Sequence, residues 1–518
     1  MCGILFSTAN TIDFNLFQSA LNRMAYRGPD AAGVLQHQNV LLGHRRLAIV
    51  DLDDRSNQPF VSNDGRYVIV FNGEIYNFKE LARRYQFDLR TSSDTEVLLA
   101  LYQLLGAKML PELNGMFAFV IMDKVSGEWF AARDRLGVKP LYMAHHGQGL
   151  ILSSEPAPIL QLIGTRDFDP IGLRQYRKLR TFFNGRTIWS GISQFPAGHY
   201  LTSHNELKQW WELPRESQAP PSDGELRSLV LDAIRVREIA DVPIGSYLSG
   251  GLDSTIVAGF ATQPDTWTVG FPEHNEFTWG VIAAKAFGSQ HHESILGLDE
   301  FLPLAERMIL LRAEPLSVPN EVLLYHMTQA VQKKNKVILS GEGADELCFG
   351  YDRIFRWAAS NPWNLREFAE LYAYGSEPDL EIIEDALQPF LNRGDAIDIV
   401  AAFFQVAHLH GLLRRLDSAT MLCSVEARVP FVDYRLVERF AGVPFGWRMA
   451  HGVVKAPLKR VFADRVPASI IARPKVGFPV PLAQLPLSSH PGKTAMDQWF
   501  EFNLSVLAGV PVTQEEVE

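Results

Sequence analysis

Cysteine is scarce: the 518 residues contain three, Cys2, Cys348 and Cys423. So few, and odd in number, they make no disulfide framework, and the expected compartment is a reducing cytoplasm. There is no Cys-x-x-Cys and no helical His-x-x-x-His, which leaves no zinc site to propose. His291 and His292 are adjacent, and neighbours on a strand or helix face apart, so the pair reads as structural. Basic residues are outnumbered 49 to 59 (net charge −10), and no basic cluster carries interleaved aromatics. Nucleic acid held through phosphate neutralisation is thereby excluded. No apolar run reads as a membrane span, and the N-terminus lacks the basic flank and apolar core of a signal peptide. What is present is the balance of a soluble globular enzyme, 47% apolar and 21% charged. The length suits about two to four domains.

Residues 1 to about 200 read as short strands with few helices. Apolar or β-branched runs at 40–50, 67–71, 116–122, 128–132 and 150–153 are separated by turn chemistry such as Ser62-Asn-Asp-Gly65 and Asp123-Lys-Val-Ser-Gly127. Two amphipathic helices stand out, 16–24 and 94–105, the second behind a Ser92-Ser93-Asp94 cap. Hairpins with covering helices make a layered α+β domain.

Four fragments here carry chemistry: Met1-Cys2-Gly3, Tyr26-Arg-Gly-Pro-Asp30, His44-Arg-Arg-Leu-Ala-Ile-Val-Asp51 and Asn72-Gly-Glu-Ile-Tyr-Asn77. Loss of Met1 would give Cys2 both a nucleophilic thiol and an α-amine able to carry its proton. Together the four strings resemble the class II glutamine amidotransferase domain, an N-terminal-nucleophile hydrolase of αββα layers. The resemblance implies that Cys2 attacks the glutamine side-chain amide, with Asn72 and Gly73 stabilising the oxyanion. It also implies that Arg46 holds the substrate carboxylate, that Glu74 and Asp94 take its ammonium, and that Ile49 also binds glutamine.

A polar, proline-rich passage, Pro214-Arg-Glu-Ser-Gln-Ala-Pro-Pro-Ser-Asp223, marks the boundary. Domains are expected at 1–205 and 222–518, with a linker at 206–221. A helix begins at once, capped by Ser222 with Glu225 three residues on. An apolar run (Ile244, Tyr247, Leu248) then reads as a strand ending in Ser249-Gly-Gly-Leu-Asp-Ser254, followed by a helix. Strand, glycine turn and helix N-terminus form an anion cradle. No Lys-Ser/Thr follows at Walker spacing; hydroxyls (Ser249, Ser254) and a carboxylate (Asp253) stand there instead, which suits a pyrophosphate with a metal recruited by the acid. Strands at 266–271, 292–295 and 336–340 alternate with helices at 278–287 and 321–334, predicting a doubly wound parallel sheet with ligands at the strand carboxyl ends. At one such end stands Ser340-Gly-Glu-Gly-Ala-Asp-Glu346, whose crowded carboxylates call for a cation. Beyond about 350 the chain reads as mostly helical, and the tail after Pro486 carries no signal.

The first loop looks like the PP-loop of ATP pyrophosphatases. With the second, and with Val425-Glu-Ala-Arg-Val-Pro-Phe-Val-Asp433 and Gly452-Val-Val-Lys-Ala-Pro-Leu-Lys459, the chain resembles the glutamine-hydrolysing asparagine synthetase family over nearly its whole length. The resemblance implies ATP on Ser249, Gly250, Gly251, Asp253, Ser254 and Ser340, and adenine near Leu248, Val269 and Gly341. It further implies Mg²⁺ shared by Asp253 and Asp345, Glu342 as base toward ammonia, and Lys455 as the catalytic cation, with Lys459 as runner-up. Glu426 and Arg428 read as a buried structural pair. Ammonia released into water would be protonated, so a sealed passage is expected, with Gly115-Met-Phe-Ala-Phe119 as candidate lining.

Two strings depart from the family pattern. Glu346-Leu-Cys-Phe-Gly-Tyr351 stands where Glu-Leu-Phe-Gly-Gly-Tyr is common, and Ala313-Glu-Pro315 where Asp-Glu-Pro is usual. Cys348 and Phe349 are expected to put bulk on the acceptor side of the pocket. The acceptor therefore stays open: aspartate, or another carboxylate such as a uronic-acid sugar or a biosynthetic intermediate. A β-lactam synthetase-like ligase is a further alternative. The oligomeric state is also open, a homodimer included.

Overall fold

The protein is described from a computed structural model that covers residues 2–375, 377–474 and 480–509. The alternating runs of the first 210 residues form two antiparallel six-stranded sheets laid face to face. One runs in the order Ser193–Gln194, Tyr142–His146, Gly149–Ser153, Gly3–Ser7, Val40–Arg46, Ala31–His37. The other runs Leu207–Gln209, His199–Thr202, Trp129–Arg133, Gly115–Asp123, Tyr67–Ile75, Phe60–Val61. The period of two sorts their side chains. Ile4, Phe6, Val68, Val70, Ala118 and Val120 fill the space between the sheets. Ile69, Phe71, Phe117 and Phe119 point away, onto the helices Phe78–Tyr85 and Asp94–Leu105. Leu5 on the opposite face meets Phe17 and Leu21 of the helix Phe14–Asn22. The result is the expected αββα sandwich.

The second unit is built on a parallel sheet in the order Gln290–Ile295, Asp265–Gly270, Ile244–Tyr247, Val337–Leu339, Glu426–Arg428. The chain starts at the middle strand, builds two strands to one side, then returns to build the other. The carboxyl ends of Ile244–Tyr247 and Val337–Leu339 therefore flank the switch point where such sheets bind ligands. Helices follow from Asp352 onward.

Several expectations change on contact with the structure. Leu207–Gln209 pairs with His199–Thr202, so the first domain's sheet runs past residue 205. The proline-rich connection is tied down as well, with Arg393 Nη1 donating to the carbonyls of Leu213 (3.0 Å) and Pro214 (3.3 Å). The helix after it spans Asp223–Val236 with Ser222 as its cap. The tail holds a helix, Ala495–Ala508, with a Thr494–Asp497 capping box. One helical run, Ala396–Met421, is long and apolar enough to cross a membrane by length and composition, against the expectation of none. Yet 67% of its apolar window is buried inside the protein, as in a core helix. His292 bonds Asp265 (2.8 Å) and stacks on Trp267, while His291 meets Thr266, so both histidines are structural.

Candidate active sites

Two loops leave the switch point, and glycine lets them touch: a Cβ on Gly341 would lie 2.8 Å from the backbone nitrogen of Ser254. Between them opens a cleft of about 840 Å³ lined by Ser249, Gly251, Asp253 and Ser254 from one loop and Ser340, Gly341, Glu342 and Asp345 from the other. Val269 lines it too. Leu248 and Gly250 do not. The Leu248 side chain is buried, and Gly250 turns away at φ +71° against Trp279. The Ser249 and Ser254 hydroxyls are 3.1 Å apart, and Ser254 donates to the Gly251 carbonyl, so both sit at the N-terminus of the helix Leu252–Phe260.

Lys455 closes this end of the cleft. Held at φ +55°, it reaches Asp345 Oδ1 at 2.6 Å and makes a short contact to Asp253 Oδ2. Burial pushes its ammonium toward neutrality, but the two carboxylates prevail and hold its pKa above the usual lysine range. Lys459, the runner-up, also lines the cleft and has its pKa lowered by burial. Glu342 accepts from Arg415 Nη2 at 3.0 Å. Behind Asp345, burial and that neighbouring carboxylate push Glu346 up to about 8, while the Tyr351 hydroxyl donates to it.

Cys348 and Phe349 do not narrow the cleft as expected. Both are buried beneath it, and Phe349 stacks on Phe355 (4.2 Å) under the Arg448 guanidinium (4.5 Å).

The second cluster lies where the N-terminal strand begins. Cys2 N donates to Asn72 Oδ1 at 2.9 Å. Asn72 and Gly73 sit mid-strand in Tyr67–Ile75, not in a turn, and a Cβ on Gly73 would fall 2.1 Å from the Met116 carbonyl oxygen. Cys2, Arg46, Asn72, Glu74 and Asp94 are all buried. Burial raises the Cys2 thiol pKa. It also lifts Asp94 to about 6 and Glu74 well above the carboxylate range, Glu74 further so because Asp94 is beside it. Asp94 Oδ2 accepts from Ile75 N at 2.9 Å. Arg46 is engaged by its own loop: Nη1 donates to the Asp53 carbonyl (2.9 Å) and Asn57 (2.8 Å), and Nη2 to the Asp51 carbonyl. The Ile49 carbonyl accepts from Asp241 N at 2.8 Å.

Sequence reasoning missed the groups that join the clusters. Arg27 donates to the Cys2 carbonyl (3.1 Å), Glu155 (2.5 Å) and Asp417 of the second unit (2.9 Å). Lys139 also reaches Asp417, at 3.4 Å. Arg27 lies in Tyr26-Arg-Gly-Pro-Asp30, and nothing near it in sequence points to a partner 390 residues away. Glu426 and Arg428 do pair, 2.6 Å apart and fully buried, and Arg428 also reaches Glu74 at 3.1 Å.

Fold and clusters together define a glutamine amidotransferase sandwich joined to a parallel-sheet nucleotide-type domain. Family models agree in order and extent, a glutamine amidotransferase domain over residues 1–211 and asparagine synthase over 225–510. The chain belongs to the asparagine synthase family of ATP-dependent, glutamine-hydrolysing ligases. It is 30% identical to asparagine synthetase [glutamine-hydrolyzing] 3 of Bacillus subtilis, over 92% of this chain and 87% of that one. A putative asparagine synthetase of Mycobacterium tuberculosis is 29% identical (89% and 83%), and asparagine synthetase B of Escherichia coli 28% (88% and 77%).

Proposed function

We propose that this enzyme makes asparagine, with aspartate as the acceptor acid. Cys2, exposed by loss of Met1 (a position outside the described residues), attacks the glutamine amide carbon. The thioester forms, ammonia leaves, and water later releases glutamate. The Asn72 side chain and the Gly73 N–H take the oxyanion. Glu74 and Asp94 take the α-ammonium, and Arg46 with the Ile49 backbone takes the carboxylate end once the 51–57 loop releases the guanidinium. In the cleft, ATP phosphates rest on Ser249–Ser254 with adenine near Val269, Ser340 and Gly341. The acceptor carboxylate attacks the α-phosphorus and pyrophosphate departs beside Lys455. Ammonia then displaces AMP from the acyl carbon, giving up a proton toward Glu342.

Asp253 and Asp345 fit Mg²⁺, since they are hard oxygen donors facing the phosphate loop and already gather a cation, Lys455. When bound, Mg²⁺ would neutralise pyrophosphate charge.

The reading is carried by one arrangement: carboxylates from both loops bridged by a buried lysine at the head of a cleft. Aspartate is favoured because Cys348 and Phe349 lie off the cleft, leaving the acceptor side without the bulk that argued for another acid. The test is initial-rate amide formation from ammonium and ATP with aspartate, a uronic-acid sugar and a panel of other acids. Aspartate is expected to dominate. Turnover of another acid with none of aspartate would overturn the proposal, and ATP-driven ring closure without added nitrogen would favour a β-lactam synthetase-like ligase.

A further inference from the structure

Arg428 sits at the carboxyl end of the fifth parallel strand, yet its side chain leaves its own domain. Nη2 donates to Glu74 Oε2 at 3.1 Å, Nε to Glu426 at 2.6 Å, and Nη1 to the carbonyls of Arg237 (2.7 Å) and Ile239 (2.8 Å). Its own carbonyl accepts from Ser340 N at 2.9 Å, where the second cleft loop begins. A fully buried guanidinium with this many fixed acceptors has little freedom, and its planar fork sets the plane of the carboxylate it meets. Glu74 Oε1 is buried with no hydrogen-bond partner among the described residues. Tyr76, two residues along the same string, is flanked by the Arg237 (4.7 Å) and Arg428 (5.6 Å) guanidiniums.

A second grip lies beside the first. The turn that Arg428 holds at residues 237–239 leads to Asp241, whose N–H donates to the Ile49 carbonyl and whose Oδ2 accepts from Asp51 N, both at 2.8 Å. The Asp51 carbonyl in turn receives Arg46. The same segment then enters the strand Ile244–Tyr247 and the first cleft loop.

We propose that the synthetase domain completes the glutamine site, with Arg428 and Asp241 as positioning residues. Arg428 fixes one oxygen of Glu74, presenting the other to the α-ammonium of glutamine. Asp241 holds the loop that serves the carboxylate end. Neither touches the reacting atoms. The inference rests on the ammonium role given to Glu74 above.

The test uses the full-length enzyme with two amides, glutamine and 4-carbamoylbutanoate, which lacks only the α-ammonium. Ammonia release from each is measured beside ammonium-driven pyrophosphate release. Arg428→Lys keeps the charge but loses the fork. It is expected to raise KM for glutamine roughly 10-fold or more with kcat little changed, and to leave kcat/KM for the deaminated amide within about 2-fold. Ammonium-driven synthesis should hold. Asp241→Ala alters an exposed residue and so retains the fold; it should raise KM for both amides. Equal loss on both amides in Arg428→Lys would make the arginine merely structural and overturn the proposal, as would an unchanged KM in either variant. A wild-type enzyme that does not prefer glutamine over the deaminated amide would instead sink the ammonium role of Glu74, whatever the variants do.

Discussion

Replacing Lys455 with methionine keeps the length of the side chain and removes its charge. The ammonium lies within hydrogen-bond reach of Asp253 and Asp345, buried at the end of the cleft proposed to hold the phosphates. A unit charge ~4 Å from developing pyrophosphate charge is worth about 4 kcal/mol at an effective dielectric of ~20. Part of that attraction is already present in the bound triphosphate, so only the surplus in the transition state appears in turnover. Loss of one such preorganised charge corresponds to about 10²–10³ in kcat. ATP binding should change little, because two aspartates relieved of their lysine gain affinity for Mg²⁺ and offset the lost contact. The assay is pyrophosphate release with ammonium chloride as nitrogen source, so that glutamine chemistry plays no part, set beside calorimetric ATP binding. A fall in turnover of less than about 10-fold would refute the reasoning and move the role to Lys459, which faces the same cleft.

Cys2→Ala should abolish glutamine-driven synthesis and leave ammonium-driven synthesis intact; equal loss of both would contradict two separate sites. Phe349→Ala removes a ring stacked on Phe355 and covered by Arg448, a truncation that costs about 3–5 kcal/mol. Denaturant melts should show that loss, and Phe349→Gly should recover about 1 kcal/mol of it, because glycine accepts φ +55° without strain. Glu346 has its pKa raised to about 8, by burial first and then by Asp345, so its contribution to stability is full below about pH 4.5. That contribution disappears as pH rises through about 8, and Glu346→Gln should flatten this decline in Tm. An unaltered pH profile would contradict the assignment.

The parts of the molecule that were legible from sequence are those whose signal is local. Apolar and β-branched runs between turn signals gave the sandwich strands, and the glycine loops placed the cleft at the switch point, because both depend on residues within a few positions of each other. The helices Pro156–Ile163 and Pro170–Leu179 do not stand out in the sequence because their prolines look like breakers, although proline at the first helical turn loses no bond. The strand Glu426–Arg428 is three residues long and charged at both ends, so no periodicity could announce it. Its charges are buried only because the partners of Arg428 come from elsewhere, one of them 354 residues away. Arg27 is the same case from the other side, an N-terminal arginine whose charge is met by Asp417. Residues proposed to touch substrate advertise themselves through turn chemistry and crowded charge. Residues that fasten one domain to the other look like ordinary arginines and aspartates until the second domain is in place. A buried arginine whose nearest acid in sequence cannot satisfy all its donors is therefore the place to look for such a fastening, and both Arg27 and Arg428 meet that description.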